Sequence, residues 1–207
     1  MEDFNNIPFI IRELNRLNHF QVVCGVLNIP TGKDEDYLEM IAMVNENGAD
    51  IVPKRTKYLT IPTPNAGKHK ASDFDGLFFY ITKSGKKSLA MKDGGSIKVM
   101  FLLSTHVKIP KRPFFRSSFD NKVNTDWADA INGDVDKIMA CQMTAKELYQ
   151  HLGRLMVNEV QAQISTMTNP GNAPITKANK GKDDPLKDTG TLYRSIGYEV
   201  ISNAKTL

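Results

Sequence analysis

The sequence predicts an α+β fold: an antiparallel sheet packed by N-terminal and C-terminal helices, with an inserted β-meander. Apolar residues recur at intervals of three and four near both ends of the 207-residue chain, which is the spacing of helices with one buried face. Between residues 51 and 109 the period shortens toward two, and turn residues recur about every ten positions. The pattern therefore places helices toward both ends of the chain and strands in its middle.

The first elements predicted are a helix, a strand and a second helix. Residues 21–29 are rich in β-branched side chains and predict a strand that Pro30 ends. Residues 34–47 predict a helix, and Gly48 stands where a helix C-terminal cap is expected. Residues 2–19 predict the first helix, whose apolar stripe consists of Phe4, Ile7, Ile11, Leu14 and Leu17.

Residues 51–108 have the pattern of an inserted β-meander. Gly85 and the pair Gly94-Gly95 lie between apolar runs, and glycine tolerates the positive φ that tight hairpin turns require. The strands that this pattern predicts are 58–62, 77–82, 88–92 and 96–109.

Helical spacing returns after the meander. Pro113 suits the first turn of a helix, because its missing N–H would be unpaired there. Thr144 and Glu147 have the spacing of a capping box, in which each side chain satisfies the other residue's amide. The helices predicted from this spacing are 112–131, 134–140 and 144–166.

Residues 168–187 show no period and predict a flexible loop. A stretch of this length within a compact domain is either functional or mobile. Its polar composition leads us to expect that it is mobile in the free subunit and orders on docking. A short helix at 188–195 and a strand at 196–201 complete a single predicted domain over residues 1–207.

Composition excludes several classes of protein. Hydrophobic residues make up 41% of the chain and charged residues 24%, so wholesale disorder is excluded. Two cysteines that are far apart exclude a disulfide scaffold and a CxxC zinc site. No apolar run reaches the length of a membrane span, and no apolar signal core follows Met1. We therefore expect a soluble chain, kept reduced, with no metal and no cofactor.

The patterns of common enzymes are also missing from the sequence. It contains no GxxxxGK[ST] phosphate loop, no GxGxxG and no GxSxG nucleophile elbow. Cys24 lies in an apolar run, where a small core residue is expected rather than a nucleophile. Paired aspartates occur only beside Gly, Pro or predicted turns, where aspartate is common for backbone reasons. We expect that the chain is not an enzyme.

Positive charge is concentrated in residues 52–117. This segment holds 14 Lys or Arg against 3 Asp or Glu, a net charge of +11, and the rest of the chain carries −7. Such a segment fits an anionic partner, either nucleic acid or an acidic protein surface; it also fits lysines that only solubilise hairpins and sheet edges. The candidates for a DNA contact are Lys54, Arg55, Lys57, Lys68 and Lys70.

Three segments carry a recognisable pattern: 45–48 (NENG), 109–116 (IPKRPFFR) and 185–196 (PLKDTGTLYRSI). In this order, with a long predicted helix between the last two, they resemble the neck or tail-completion proteins of long-tailed bacteriophages. That family of virion morphogenesis proteins shows N-E-x-G, I-P-x-R-P-F-h-R and P-L-x-D-T-G-x-L-x-x-S-I, where h is apolar. The first two patterns lie close together in the family, so the resemblance implies that residues 51–108 are an insertion or an elaborated hairpin here.

The resemblance implies a structural virion protein of the head–tail connector. It implies a ring, six-membered as in the family, that joins the DNA-filled head to the tail. The implied partners are further copies of this chain, the head-closure or adaptor ring, the tail terminator ring, and the genomic DNA that passes through the lumen. The implied location is the virion neck after synthesis in the host cytoplasm, with no membrane contact.

The motif residues divide between core and surface. Phe114, Leu192 and Ile196 are expected in the core, since large apolar side chains are costly to expose. Arg112 and Arg116 place cations in a first helical turn, which opposes the helix dipole by about 0.3–1 kcal/mol. A carboxylate or a partner should therefore face these two arginines.

The second motif contributes two further candidates. Asp188 and Thr189 are suitable N-caps for the helix that follows them. The full set of candidates for subunit or partner contacts is Arg112, Phe115, Arg116, Lys177, Lys180, Lys182, Asp188 and Thr189.

The alternative function is a nucleic-acid-binding or processing protein that uses the basic segment 52–117. Against it, the sequence has neither an RNA-binding aromatic signature nor a helix-turn-helix pattern. A ring lumen lined by lysines would produce the same distribution of charge, so charge alone does not separate the two functions.

Overall fold

The computed structural model describes residues 6–202 and confirms the predicted α+β class. The start of the predicted first helix, with Phe4, lies outside the described residues. Short 3-10 turns occur at Leu17–His19 and Ala71–Asp73. The elements within residues 6–202 are α1 (Ile7–Arg16), β1 (Phe20–Val26), α2 (Glu35–Asn47), β2 (Ala49–Ile51), β3 (Leu59–Pro62), β4 (Phe78–Ile81), β5 (Lys87–Asp93), β6 (Ser96–Ser104), β7 (Val107–Ile109), α3 (Phe114–Lys122), α4 (Asp126–Met139), α5 (Ala145–Thr166), α6 (Pro174–Lys180), α7 (Thr191–Ser195) and β8 (Ile196–Ser202).

The two ends of the chain meet in an antiparallel pair of strands. β1 and β8 are paired from Phe20 opposite Ser202 to Val26 opposite Ile196. One face of this pair packs on α5. Gly153 of α5 makes the close approach possible, because a Cβ there would lie 2.1 Å from the Tyr198 ring.

The main core lies between this strand pair and helices α2, α3 and α5. Phe114 and Ile196 are both fully buried in it, and each buried side chain of this size contributes about 1.5–3 kcal/mol. Cys24 packs against the same core, and burial raises the pKa of its thiol to about 11. The buried members are Val26, Leu38, Ala42, Phe114, Val160, Ile164, Leu186, Leu192 and Ile196.

The predicted capping box opens α5, and a second carboxylate supplements it. The Thr144 Oγ1 accepts the Glu147 amide at 3.3 Å, and the Thr144 amide donates to Glu147 Oε2 at 2.8 Å. Glu13 of α1 accepts the Ala145 amide at 3.1 Å. Burial opposes ionisation of Glu13, but this amide and two neighbouring arginines hold its pKa below the ordinary value.

This use of Glu13 changes which face of α1 is buried. Glu13 is fully buried, whereas Ile7 and Ile11 of the predicted apolar stripe are 60% and 54% exposed. The expectation that the whole stripe packs inward is therefore wrong for these two residues. Glu13 faces the N-terminus of α5 because its carboxylate accepts the Ala145 amide there, while Arg12 and Arg16 of α1 bond to its other oxygen.

The meander forms a separate four-stranded antiparallel sheet with the order β3-β6-β5-β4. The loop 63–77 covers part of one face and builds a small second core around Met100 and Phe101. The predicted strand 96–109 is divided at Thr105 into β6 and β7. The second piece pairs with β2, a strand that the sequence pattern missed, and places Ala49 opposite Ile109.

The predicted helix 112–131 is also divided, at residues 123–125, into α3 and α4. The buried Trp127 in the first turn of α4 packs edge-on against Phe119, with ring centroids 5.8 Å apart. Gly133, expected to end a helix, lies inside α4. α4 is joined to α5 through the buried Asp134, which bonds to His151 at 2.5 Å.

Replacing Gly153 by alanine should destabilise the protein. The new Cβ would overlap the Tyr198 ring, and overpacking of this kind costs about 1–3 kcal/mol. Gly133→Ala is the matched control, since no atom lies within 4 Å of the Cβ position, and it should stabilise by up to about 1 kcal/mol. Urea unfolding of both variants measures the difference. Shifts of equal sign and size would contradict the packing assigned to Gly153.

Candidate functional site

Segments 45–48, 109–116 and 185–196, far apart in sequence, come together in the folded chain. We call the region where they meet the motif node. The β2–β7 pairing begins it by placing Gly48 beside Ile109. Gly48 has φ of +72°, and a Cβ there would lie 2.9 Å from the Ile109 carbonyl oxygen. Both the backbone conformation and the space therefore require glycine at this position.

The carboxylate of Glu46 caps the N-terminus of α3. Its Oε2 accepts the Phe115 amide at 2.9 Å, and its Oε1 accepts the Arg116 amide at 3.0 Å. α3 has no side-chain cap from its own N-cap residue, Pro113. A carboxylate from α2 thus satisfies two amides that would otherwise be unpaired, and it offsets the cations of this turn.

Arg112 is an internal link, 5% exposed, that ties three parts of the chain together. Its Nε donates to the Pro170 carbonyl at 2.9 Å, and its Nη2 donates to the Gly171 carbonyl at 3.0 Å. Its Nη1 donates to Asn45 Oδ1 at 3.3 Å. Burial lowers the pKa of Arg112, and Asp183 acts in the opposite direction. All three guanidinium nitrogens donate within the chain, so the structure removes Arg112 from the candidates for partner contacts.

The second motif closes the node from the C-terminal side. Leu186, Leu192 and Ile196 are buried and belong to the same core cluster as Phe114. The Phe115 ring lies against that of Phe114, with centroids 4.7 Å apart. The prediction that Phe114, Leu192 and Ile196 are core residues is confirmed.

Asp188 and Thr189 do not have the predicted capping role. The N-cap of α7 is Gly190, with φ of +75°, and no side chain caps this short helix. Thr189 Oγ1 lies 2.7 Å from Thr191 Oγ1, and the Thr189 carbonyl accepts a hydrogen bond from Arg194 at 3.1 Å. The left-handed residue precedes the helix, so the two candidates lie one and two positions too early to cap it.

A cavity of about 250 Å³ brings three of the candidates together. Lys180, Asp188 and Thr189 line it, opposite Tyr37 of α2. Burial lowers the pKa of Lys180, while Asp188 acts in the opposite direction. The cavity thus offers an ammonium, a carboxylate and a hydroxyl, which suits a polar side chain of a partner.

A second depression brings Phe115 and Arg116 together. It encloses about 480 Å³ and is also lined by Phe119 and Trp127. The ring of Phe119 is 49% exposed beside it. Arg116 is exposed as well, while its backbone amide is held by Glu46. The depression is therefore an aromatic groove with Arg116 and Asp120 among its lining residues.

Residues 168–187 contain regular structure that the sequence pattern missed. α6 occupies Pro174–Lys180, so the expectation of a segment without regular structure is wrong there. The segment is tied to Arg112 at one end, and Asn179 Nδ2 donates to the Pro62 carbonyl at 3.0 Å. Seven residues are too few for a helical period to show clearly, although Pro174 at the first turn was a signal. Ordering on assembly stays a prediction.

The two remaining lysine candidates form local ion pairs at the surface. Lys177 Nζ lies 2.5 Å from Asp183, and Lys182 Nζ lies 3.2 Å from Asp184. Asp183 also accepts the Asn172 amide at 2.8 Å. Exposed pairs of this kind contribute about 0–1 kcal/mol, so a partner's carboxylate can replace the internal one at low cost.

The five DNA candidates do not lie together. Lys54, Arg55 and Lys57 are exposed in the segment that enters β3. Lys68 and Lys70 are exposed in the loop 63–77, which leaves β3 and rejoins β4 at the opposite end of the sheet. The sheet register that separates the two groups could not be known from charge counting.

Sequence reasoning also missed two residues at helix N-termini. Glu46 lies within the N-E-x-G segment, but nothing in the sequence showed that it caps α3, which begins 68 residues later. Glu13 lies in a predicted amphipathic helix, where a carboxylate is expected at the surface. Long-range capping leaves no local signal, because the donor amides belong to another element.

The described residues 6–202 contain no group of three or more His, Cys, Asp or Glu that could hold a metal ion. Among the helices of this part of the chain, none is both long and apolar enough to cross a membrane.

No family model, curated protein or solved structure matches this chain. The meaning of the three motifs therefore depends on their residues and on their meeting in the motif node.

Replacing Glu46 by alanine should destabilise the protein by about 0.5–2 kcal/mol, because two amides of α3 lose their cap. Glu39→Ala on the same helix is the matched control, since Glu39 is exposed. Thermal unfolding followed by circular dichroism compares the two variants. A Glu46→Ala variant as stable as the control would show that the cap contributes nothing.

Replacing Arg112 by lysine should release residues 168–172. Lysine keeps the charge but cannot make the three divergent hydrogen bonds of the guanidinium. Trypsin should then cut faster after Lys177, Lys180 and Lys182. Arg116→Lys is the matched control, because it makes the same change in an exposed side chain of the same motif. Equal cleavage rates in the two variants would contradict the role of Arg112 as an internal link.

Proposed function

We propose that this chain is a structural subunit of the head–tail connector of a long-tailed bacteriophage. In this role it forms a ring in the neck that joins the DNA-filled head to the tail and lets DNA pass. The motif node is the observation that carries the proposal. The segments that resemble the neck family bond to one another: Glu46 caps α3, and Arg112 reaches Asn45. Residues that act together in this way are expected if the three patterns specify one shared architecture.

Exposed apolar helix faces support assembly into a larger structure. Ile11 of α1 is 54% exposed, and Tyr37, Met40 and Met43 of α2 are 57%, 51% and 63% exposed. The residues on α2 recur every three positions, so they form a stripe along one side of the helix. Such stripes on a water-soluble subunit are typical of surfaces that a partner covers.

The open strand pair offers a second route to assembly. Within residues 6–202, β1 and β8 pair only with each other, so each has an outer edge that bonds to no other strand. On the face away from α5, Val23 and Ile201 are 40% and 37% exposed. An edge of this kind accepts a strand from a neighbour. A contact between unlike surfaces, repeated by rotation, closes a ring.

The proposed partners follow from the resemblance. They are further copies of this chain in a six-membered ring, the head-closure or adaptor ring, the tail terminator ring and the genomic DNA. The groove beside Phe115 and Arg116 and the cavity at Lys180, Asp188 and Thr189 are the surfaces proposed for protein contacts. Lys177 lies in α6 and Lys182 lies just after it, and both are exposed. We propose that each exchanges its ion pair within the chain for a partner's carboxylate.

The alternative function, a nucleic-acid-binding or processing protein, fits one further observation. Lys57 and Lys87 cluster around the ring of Tyr58 at one end of the meander sheet. This cluster is compatible with both functions, since a connector also meets DNA. A role in head–tail joining distinguishes the first function from the second.

Deleting the gene from the virus that encodes this chain should block virion completion at head–tail joining. We expect filled heads and separately made tails in negative-stain images of the lysate. Supplying the intact chain from a plasmid is the control and should restore complete virions. Normal virions from the deletion would overturn the connector proposal. Unfilled heads or damaged DNA, together with normal joining of heads to tails, would favour the alternative function.

A further inference from the structure

Exposed cations gather at one end of the meander sheet. We define the lysine end as the end where β3 and β5 begin and β4 and β6 finish. The register fixes it: Leu59 lies opposite Ser104, and Ile81 lies opposite Lys87. Two segments therefore meet there, 52–58 before β3 and the turn 82–86 before β5.

The cations of these two segments, together with the first residue of β5, form what we call the lysine-end cluster. Neither segment contains an acidic residue. The nearest acidic side chain along the chain, Asp50, bonds to His106 at 3.2 Å. The cluster consists of Lys54, Arg55, Lys57, Lys83, Lys86 and Lys87, all of them exposed.

The opposite end of the sheet has a different balance of charge. Four lysines there are accompanied by three aspartates, which are Asp73, Asp75 and Asp93. Asp93 forms an ion pair with Lys98, and Asp73 lies 3.8 Å from His69. Within the meander sheet, the net positive charge is thus concentrated at the lysine end.

Tyr58 organises part of the cluster. Lys57 Nζ lies 5.7 Å from the centre of its ring, and Lys87 Nζ lies 5.2 Å from it. Lys87 also donates to the phenol oxygen at 3.1 Å, and this hydrogen bond lowers the pKa of Tyr58. Two cations are therefore held near one ring, which reduces the freedom they lose when they bind an anion.

An open cleft of about 460 Å³ lies beside the ring. Its polar lining is formed by Tyr58, Lys86, Lys87, Ser104 and Thr105, and Ile61, Gly85, Leu102 and Leu103 complete it. Ammonium groups, hydroxyls and accessible backbone are the groups that contact phosphates in protein–DNA interfaces. The adjacent turn is fixed by its own backbone, since Thr82 and Lys86 exchange main-chain and hydroxyl bonds. The side chains of Lys83 and Lys86 are thus left for a ligand.

We propose that the lysine end is a binding surface for the phosphate backbone of double-stranded DNA, without sequence preference. Six cations in neighbouring exposed segments match the dense line of phosphates on a duplex. The DNA contact is thereby relocated: Lys83, Lys86 and Lys87 take part, and Lys68 and Lys70 do not. This inference rests on the proposed connector function only in identifying the bound DNA as the viral genome.

Two triple variants of equal charge test the proposal. Lys83→Gln, Lys86→Gln and Lys87→Gln remove charge at the lysine end; Lys68→Gln, Lys70→Gln and Lys92→Gln remove it elsewhere. Fluorescence anisotropy with a labelled duplex of mixed sequence is recorded over a series of salt concentrations. The first variant should bind about tenfold or more weakly, with the salt slope reduced by about 0.9 for each phosphate that the variant no longer neutralises. The second should bind like the wild type.

Three results would overturn the proposal. They are no binding of the duplex by the wild type, equal weakening of binding in both variants, or displacement of the duplex by polyglutamate as readily as by unlabelled DNA. The last result would assign the surface to an acidic protein. Unchanged thermal unfolding of both variants verifies that they are folded.

The outcome is independent of head–tail joining. Failure of duplex binding, with joining blocked in the gene deletion, would overturn only the DNA surface. Duplex binding with normal virions in the deletion would overturn only the connector proposal.

Discussion

The carboxylate of Glu46 is the group on which the rest of the structure depends. It joins α2 to α3, which the whole meander separates in the sequence, because its oxygens accept the amides of Phe115 and Arg116. The same turn carries Arg112, whose guanidinium holds residues 170–171. Phe114 lies between these polar contacts and anchors α3 in the core. Removal of the carboxylate therefore leaves two amides unpaired in the helical turn that directly follows a buried arginine and a core aromatic.

Two helices of this protein are capped by distant carboxylates. Glu13 bonds to the first amide of α5, and Glu46 bonds to the first two amides after Phe114 in α3. In both cases a group that is costly to bury is satisfied by backbone donors that lack partners of their own. The arrangement fixes the direction of each helix more strictly than apolar packing does, since hydrogen bonds are directional.

Most of the fold could be predicted from the sequence where local signals were strong. The Thr144 capping box, the turn at Gly85 and the core positions Phe114 and Ile196 depend on neighbours or on simple burial, and the structure has them as predicted. The ladder of β2 with β7 and the division of helix 112–131 were missed, because short elements have no clear period. The role of Arg112 was missed for a different reason: its acceptors lie more than fifty residues away.

The β2–β7 ladder has a consequence for the meander as a unit. Ile51 lies opposite Val107, so the chain leaves the body and returns to it at neighbouring points. The residues between Ile51 and Val107 could be exchanged without moving β2 and β7, which the remaining fold must keep in place. A protein engineer could therefore use this ladder as a graft point for a foreign hairpin or a reporter domain. An evolving lineage could vary the inserted module in the same way while the rest of the fold stays constant.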